Sequence, residues 1–405
     1  MFVRYSKRLG ILLAGTLVIA VAAAGYYYRF SPDGVSTSEL YEDGLESLAR
    51  RDFAGVRERI RQLDARQDVP GYGGLLQANF FLRTGDPGSA LRSLGGLDAR
   101  GPLRFKILEF TGQALYEAGQ LWDARDVLTT LVNEQPDHVN GHRWLGSAYY
   151  DLGAQYEAVF HLEQVARLAP DDYRPHWLMG VIYRDLESYS ESVQHLQRAW
   201  ELKPPAGVQE TVAVFLSRSL RAEHKYDVAL QYLTQCAETP DVLVERASCE
   251  FSLGKSDEAF QSLSRSTVPD DDESGTAWYL LFGEILEGQN KLQEALTRYE
   301  EGIRRFPFEE DLQYRIAVVL QSMGMKDRAA EEMKVWEQKN ALKNHLIELN
   351  KVAAKELDNA AVRRQLAEVC RQMQRPKHAE MWDAAALACE QRQAGKQPPT
   401  TVSPR

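Results

Sequence analysis

The chain has few cysteines and none of the common catalytic motifs. Its four cysteines, Cys236, Cys249, Cys370 and Cys389, show no C-x-x-C spacing, which argues against a zinc site and against a redox dithiol. The sequence also lacks G-x-x-x-x-G-K-[ST], G-x-S-x-G, H-E-x-x-H and G-x-G-x-x-G, the signatures of phosphate, acyl-transfer, metalloprotease and dinucleotide sites. These absences predict a protein that is not an enzyme and that holds no cofactor and no metal.

Basic charge is scarce as well. The chain has 48 Lys and Arg against 58 Asp and Glu, a formal net charge of -10. A nucleic-acid partner needs a basic face, so no such partner is expected. The acidic run VPDDDESG at 268–275 lacks the spacing of a calcium-binding EF-hand loop. We expect it to be a solvated loop before a helix that starts near Thr276.

A long uncharged run lies near the amino terminus, at residues 9–28, after Arg4, Lys7 and Arg8. A helix of this length spans about 30 Å, the thickness of a bilayer core. We favour an uncleaved membrane anchor. The alternative is a cleaved signal peptide, because Ala22-Ala23-Ala24 offers a cleavage site. The positive-inside rule then predicts a cytoplasmic amino terminus and a body outside the cytoplasm. For a bacterial inner membrane this is the periplasmic side, with a linker through residue 36.

After the linker, one pattern of residues recurs every 34 residues. It places Gly112, Gly146 and Gly180 in register, with Leu128, Leu162 and Leu196, small residues at Ala124, Ala158 and Ser192, and Pro136, Pro170 and Pro204. A period in this range is typical of a repeat architecture. The register extends back to Thr37, and the small residue recurs at Ala229, Ala259, Ala295 and Ala329. A further helix is predicted at 344–357, a weak final unit up to 393 and a disordered tail at 394–405.

Each unit is predicted to be a pair of helices joined by a tight turn. Gly146 and Ala158 have little or no side chain, so the two helices can approach closely there. Gly119 and Gly153 stand where the first helix ends and a left-handed residue is favoured. The prolines follow the second helix, which cannot continue through them.

These residues resemble the tetratricopeptide repeat family. Two consecutive units carry its pattern: His142, Leu145, Gly146, Tyr149, Ala158, Leu162, Val165 and Pro170, and then His176, Met179, Gly180, Tyr183, Ser192, Leu196, Ala199 and Pro204. The family's usual tryptophan is replaced by His142 and His176. The resemblance implies an all-α, right-handed superhelical solenoid of about ten repeats over residues 37–393. It also implies a concave groove of first helices that receives peptides or partner helices.

The family's inward positions give a predicted partner-binding groove at Lys106, Gln113, Tyr116, Asn140, Arg143, Tyr150, Arg174, Trp177, Arg184, Arg218 and Arg221. Arginines among aromatics suit an acidic or aromatic partner segment, because guanidinium binds carboxylates in pairs of hydrogen bonds and stacks on rings. The alternative is a solvated face of mixed charge, since Glu109, Glu117, Asp151 and Asp185 lie nearby. The carboxylate clamp of some family members is absent.

Histidines and cysteines also recur in the pattern. The equivalent pairs His142 with His176 and His161 with His195 are expected to stand too far apart to share a metal. The cysteines fall on helices that pack together in this architecture. Disulfides Cys236–Cys249 and Cys370–Cys389 are therefore a hypothesis for an oxidising compartment, and four buried apolar thiols are the alternative.

Together these patterns predict a membrane-anchored scaffold that binds other proteins through the groove of a solenoid. The alternative function is a non-catalytic subunit of an envelope assembly, polysaccharide-export or cytochrome-maturation enzyme complex.

Overall fold

A computed structural model describes residues 35–66, 70–98 and 100–396 of the chain. These residues form twenty α-helices and no strand, and the chain divides into one compact unit that ends at Pro136 and another that begins at Asp137. The predicted anchor at 9–28 lies outside the described residues. Among the helices that are described, none is both long and apolar enough to cross a bilayer.

The first unit consists of three helical hairpins. Its helices are α1 Thr37–Ala49, α2 Phe53–Asp64, α3 Tyr72–Arg83, α4 Pro87–Gly95, α5 Arg104–Glu117 and α6 Leu121–Glu134. Helix α1 starts with a capping box, in which Ser36 Oγ accepts from Glu39 N at 3.1 Å and Glu39 accepts from Ser36 N at 2.7 Å. This arrangement satisfies two otherwise unpaired donors at the start of the helix.

The second unit consists of seven hairpins. Its helices are α7 Val139–Asp151, α8 Gln155–Leu168, α9 Tyr173–Asp185, α10 Tyr189–Glu201, α11 Ala206–Ala222, α12 Tyr226–Leu233, α13 Pro240–Ser252, α14 Ser256–Arg265, α15 Asp272–Gly288, α16 Leu292–Arg305, α17 Glu310–Ser322, α18 Lys326–Lys355, α19 Ala360–Gln372 and α20 Pro376–Lys396. The first helix of each hairpin packs on the second helix of the same hairpin. The first helices α9, α11, α13, α15 and α17 also contact one another in succession.

The repeated small residues lie where the helices of a hairpin approach one another. Ala124, Ala158 and Ser192 have no exposed surface. A Cβ atom added to Gly180 would lie 2.5 Å from Cγ of Leu196, and one added to Gly146 would lie 3.2 Å from Cγ of Leu162. The predicted close approach is therefore confirmed, and the repeated leucine fills the space beside the repeated glycine.

The turns also follow the prediction. Gly119 and Gly153 have φ of 74° and 81°, the left-handed conformation that ends a helix. At the equivalent place in the next repeat, Glu187 adopts φ 58° without being glycine. Helices α6, α8 and α10 all end before the prolines that follow them.

The acidic run at 268–275 differs from its prediction as a loop. Helix α15 begins at Asp272, four residues before the predicted start, because Asp271 is its N-cap and accepts from Ser274 N at 2.9 Å. Asp272 and Glu273 then lie in the first turn, where negative charge stabilises the helix dipole. Half of the run is thus helix.

Two boundaries near the carboxyl terminus were wrong as well. The predicted separate helix at 344–357 is the second half of the single helix α18, since no Gly or Pro interrupts residues 326–355. Helix α20 continues to Lys396, so the first residues of the predicted disordered tail are helical. Residues 397–405 lie outside the described part of the chain.

Candidate functional site: an arginine and carboxylate face on the first helices

The structure places every predicted groove residue on a first helix, but in two separate units. Lys106, Gln113 and Tyr116 lie on α5 of the first unit. The Lys106 ammonium is 4.6 Å from the centroid of the Tyr41 ring, and Gln113 donates to Glu117 at 2.8 Å. The remaining predicted residues lie on α7, α9 and α11 of the second unit, so the candidate site is described there.

The first part of this face is organised by Asp172, the N-cap of α9. Arg143 Nη2 on α7 donates to Asp172 Oδ2 at 2.9 Å, and Arg174 Nε donates to Asp172 Oδ1 at 2.8 Å. Arg143 also donates to Asn140. Burial alone raises the pKa of the Asp172 carboxyl, but the hydrogen bonds from Arg174 outweigh it and the net pKa is lowered. Asp172 therefore stays ionised and fixes both arginines.

Tyrosine and tryptophan stand beside these arginines. Tyr150 donates its hydroxyl to Asp185 Oδ2 at 3.1 Å, and burial together with this carboxylate raises the pKa of Tyr150. Trp177 packs against the apolar cluster of α10 to α13. Its buried Nε1 has no hydrogen-bond partner within the described chain. Two large aromatic side chains with polar tips thus lie on successive first helices.

The second part of the face surrounds Arg218 on α11. Its guanidinium donates to Glu245 at 2.8 Å, to Glu273 at 2.7 Å and to Ser274 at 2.8 Å. Arg221 donates to Glu245 as well, at 3.0 Å. The Glu245 carboxylate is only 3% exposed, so two cations compensate a buried anion, as burial of charge requires.

Arg184 at the end of α9 completes this part of the face. It approaches Asp185 and Glu273, each at 3.4 Å, and its guanidinium carbon lies 4.6 Å from the centroid of the Phe215 ring. A cavity of about 390 Å³ is lined by Arg184, Arg218, Arg221, Glu245 and Glu273 among others. Such an arrangement can bind a carboxylate or a planar aromatic group.

The arginines of the predicted groove are therefore largely engaged with carboxylates of neighbouring first helices. Sequence reasoning missed Asp172, Glu245 and Glu273 as their partners. Asp172 had a local signal, because an acid immediately before a predicted helix is a usual N-cap. Glu245 and Glu273 are 27 and 55 residues from Arg218, and no local pattern predicts such pairs.

The histidines pair within a hairpin, a contact that the sequence did not predict. The equivalents on successive repeats do not pair. Instead, Nδ1 of His142 lies 2.9 Å from Nδ1 of His161, and Nδ1 of His176 lies 3.2 Å from Nδ1 of His195. In each repeat one ring donates and the other accepts. The constant 19-residue spacing of both pairs was a usable signal.

A tyrosine stacks on the second histidine of each pair, with ring centroids 5.5 Å apart for Tyr149 and His161 and 5.3 Å apart for Tyr183 and His195. Burial, and then the neighbouring histidine, lowers the pKa of His161 to about 4, and the pKa of His195 is lowered to about 4 for the same reasons. Within the described residues no group of three or more His, Cys, Asp or Glu side chains could hold a metal ion. The pairs are packing elements of the two hairpins.

All four cysteines are free thiols in the structure. Cys249 lies 3.5 Å from Ser217 Oγ, and Cys236 donates to the carbonyl of Tyr232 at 3.6 Å. Burial raises the pKa of Cys236 to about 11 and that of Cys249 to about 12. The disulfides Cys236–Cys249 and Cys370–Cys389 are not formed here and stay hypotheses for an oxidised chain.

The stacked hairpins with glycine against leucine define an α-helical repeat protein. Residues 112–172 match the family model described as Tetratricopeptide repeat, and these residues cover Gly112, Gly146 and the hairpin of α7 and α8. This part of the chain is therefore similar to tetratricopeptide repeats, as its repeated residues predicted.

Several solved structures resemble parts of the chain. A tetratricopeptide repeat protein from Parabacteroides merdae ATCC 43184 has 17% identity over 62% of this chain and 100% of its own, with a TM-score of 0.46. Pseudomonas aeruginosa PilF has 16% identity over 49% and 89%, with a TM-score of 0.43. MamA from Desulfovibrio magneticus RS-1 has 24% identity over 39% and 88%, with a TM-score of 0.35. Similarity at this level carries no functional inference. No curated protein sequence matches the chain.

Proposed function

We propose that this protein is an interaction scaffold that binds a segment of a partner protein on the first helices of its second unit. The observation that supports this most is the run of large polar and aromatic side chains on α7, α9 and α11, which includes Tyr150, Trp177 and Arg184. Tyr, Trp and Arg are the residues enriched at the energetic centres of protein interfaces. Repeats present such residues at several points along a partner segment.

The chemistry of this face favours a partner with acidic and aromatic side chains. Arg184 lies over Phe215, and within the described part of the chain its carboxylate contacts are both 3.4 Å long, so its guanidinium has donors available. A carboxylate of the partner can accept from it in pairs of hydrogen bonds. Since the arginines already have carboxylate neighbours, binding is an exchange of partners rather than a filling of empty sites.

We further propose that residues 9–28 anchor the chain in a membrane with the repeats outside the cytoplasm. The uncharged run and the basic residues before it support this orientation. Fusion of the carboxyl terminus to alkaline phosphatase, which is active only outside the cytoplasm, tests it. An active fusion that resists carbonate extraction from membranes is expected, and an inactive fusion or a fully soluble one contradicts the proposal.

Site-specific photocrosslinking tests the binding face. The full chain carries a photoreactive phenylalanine analogue at Tyr150 or, as the matched control, at Tyr156, which is 76% exposed on the second helix α8. Crosslinked products are then identified by mass spectrometry after purification. We expect defined products from position 150 that are absent from position 156.

Products only from position 156, or the same products from both positions, would show that the first-helix face is not the binding site. One enzyme captured at fixed stoichiometry would indicate the alternative, a non-catalytic subunit of an envelope enzyme complex. Several proteins that compete with one another for position 150 would indicate a scaffold.

A further inference from the structure

Glu273 occupies a position that differs from those of the other carboxylates on this face. Asp172 and Glu245 have side-chain exposures of 10% and 3%, whereas that of Glu273 is 57%. Asp185, at 32%, also accepts the hydroxyl of Tyr150. Glu273 is thus the most exposed of these four ionic partners, and among the residues that the structure describes its carboxylate accepts hydrogen bonds only from Arg184 and Arg218.

The Glu273 carboxylate reaches from the first turn of α15 to two other first helices. Its Oε2 accepts from Arg218 Nη1 at 2.7 Å and from Arg184 Nη1 at 3.4 Å. Both guanidinium groups lie near the ring of Phe215, at 4.6 Å for Arg184 and 5.6 Å for Arg218. This geometry shows that a carboxylate on a flexible stem fits between the two arginines above an aromatic side chain.

The two arginines differ in how firmly they are held without Glu273. Arg218 keeps Glu245 and Ser274, both at 2.8 Å, so its position does not depend on Glu273. Arg184 keeps the ring of Phe215 and the longer contact to Asp185. The site would therefore persist with two oriented guanidinium groups if the Glu273 side chain swung into solvent. Because the Glu273 side chain is 57% exposed, its carboxylate regains water when it leaves the arginines, which lowers the cost of such a movement.

We propose that the space between Arg184 and Arg218 is a binding subsite for an acidic side chain of the partner, and that Glu273 occupies it in the free protein. The partner's carboxylate takes the place of the Glu273 carboxylate, so the charge of the cavity is unchanged by binding. Glu273 thus weakens the binding of every acidic segment and selects those that make further contacts on the face. This inference rests on the proposed function, since it assigns the chemistry of the same face.

Fluorescence anisotropy with the full chain tests the subsite. The probe is a short, carboxyl-amidated, fluorescein-labelled peptide in which Glu alternates with Ser, and the reference peptide has Gln in place of Glu. E273Q is expected to bind the Glu peptide about two- to fivefold more tightly than the unmodified chain, since it loses one competing carboxylate that is itself more than half exposed. The Gln peptide should show no such gain.

Two controls separate the subsite from a general charge effect. E301Q removes the same charge from α16, where Glu301 pairs with Arg298 at 2.8 Å, and it should leave the affinity for the Glu peptide unchanged. R184Q should weaken binding of the Glu peptide, and the double variant R184Q/E273Q should lose the gain of E273Q. Circular dichroism and urea midpoints establish that each variant is folded.

Equal affinities of the unmodified chain and E273Q, or an equal gain from E301Q, would overturn the subsite. The outcomes for the two proposals are separable. Crosslinking from Tyr150 without an effect of E273Q would support the binding face and contradict the subsite. An effect of E273Q without crosslinking from Tyr150 would support the subsite and exclude only the α7 part of the proposed face.

Discussion

Replacement of Gly180 by alanine tests whether the repeated glycine is needed for helix packing. A Cβ atom at this position would lie 2.5 Å from Cγ and 2.8 Å from Cδ2 of Leu196. Leu196 is completely buried, so its side chain has no solvent-filled space into which it can move. The equivalent change at Gly146 is a matched control in the preceding repeat, because its nearest contact, Cγ of Leu162, is at 3.2 Å.

Two opposing effects set the size of the change. Alanine is better than glycine inside a helix by about 1 kcal/mol, and this gain is common to both positions. Overpacking of a tight core costs about 1 to 3 kcal/mol and applies mainly at Gly180. We therefore expect Gly180→Ala to lower the free energy of unfolding by up to about 2 kcal/mol, and Gly146→Ala to be neutral or stabilising.

Urea unfolding followed by far-ultraviolet circular dichroism measures both variants. A lower midpoint with an unchanged slope would identify a change in stability of the folded state. Leu196→Ala removes the Cγ and Cδ atoms that obstruct the added Cβ, so the double variant with Gly180→Ala should be less destabilised than the sum of the single changes. A Gly180→Ala variant as stable as Gly146→Ala would refute the packing argument.

Two further predictions concern the histidine pairs and the thiols. The folded-state pKa of His195 is about 4, below the ordinary value of about 6.5. The neutral imidazole therefore stabilises the fold above pH about 6.5, and this contribution to the free energy of unfolding is lost as the pH falls toward about 4. Urea midpoints of His195→Phe should fall less over this range than those of the unmodified chain, whereas His345→Phe, at an exposed site on α18, should fall equally. For the reduced native protein, mass spectrometry after a pulse of iodoacetamide should find Cys236, which is half-buried, labelled before Cys249, which is buried. Equal labelling of the two thiols would contradict the burial of Cys249.

The hairpins could be predicted because their determinants are local and recur along the chain. The glycine and alanine positions, the left-handed turn at Gly153 and the proline after α8 each follow from backbone sterics within one repeat. Boundaries were less predictable where two local effects compete. The acidic charge of residues 268–275 alone predicted a loop. Helix α15 nevertheless begins within this run, because the Asp271 side chain caps the helix.

The proposed binding face was predicted only in part. Period and helix geometry assigned Arg143, Arg184 and Arg218 to first helices, and the structure places them there. Their charge partners could not be predicted, since Glu245 and Glu273 reach Arg218 only when three hairpins pack side by side. The contact of Nδ1 atoms between His161 and His142 likewise forms only when two helices of a hairpin meet.

The sequence by itself determined that this protein is a chain of helical hairpins with the tetratricopeptide pattern, because helix periodicity, small residues and turn residues act over short distances. Only the tertiary structure decided which of its charges pair with one another. That outcome depends on contacts between side chains far apart in sequence. The Glu273 carboxylate, for example, accepts a hydrogen bond from Arg184, which is 89 residues away.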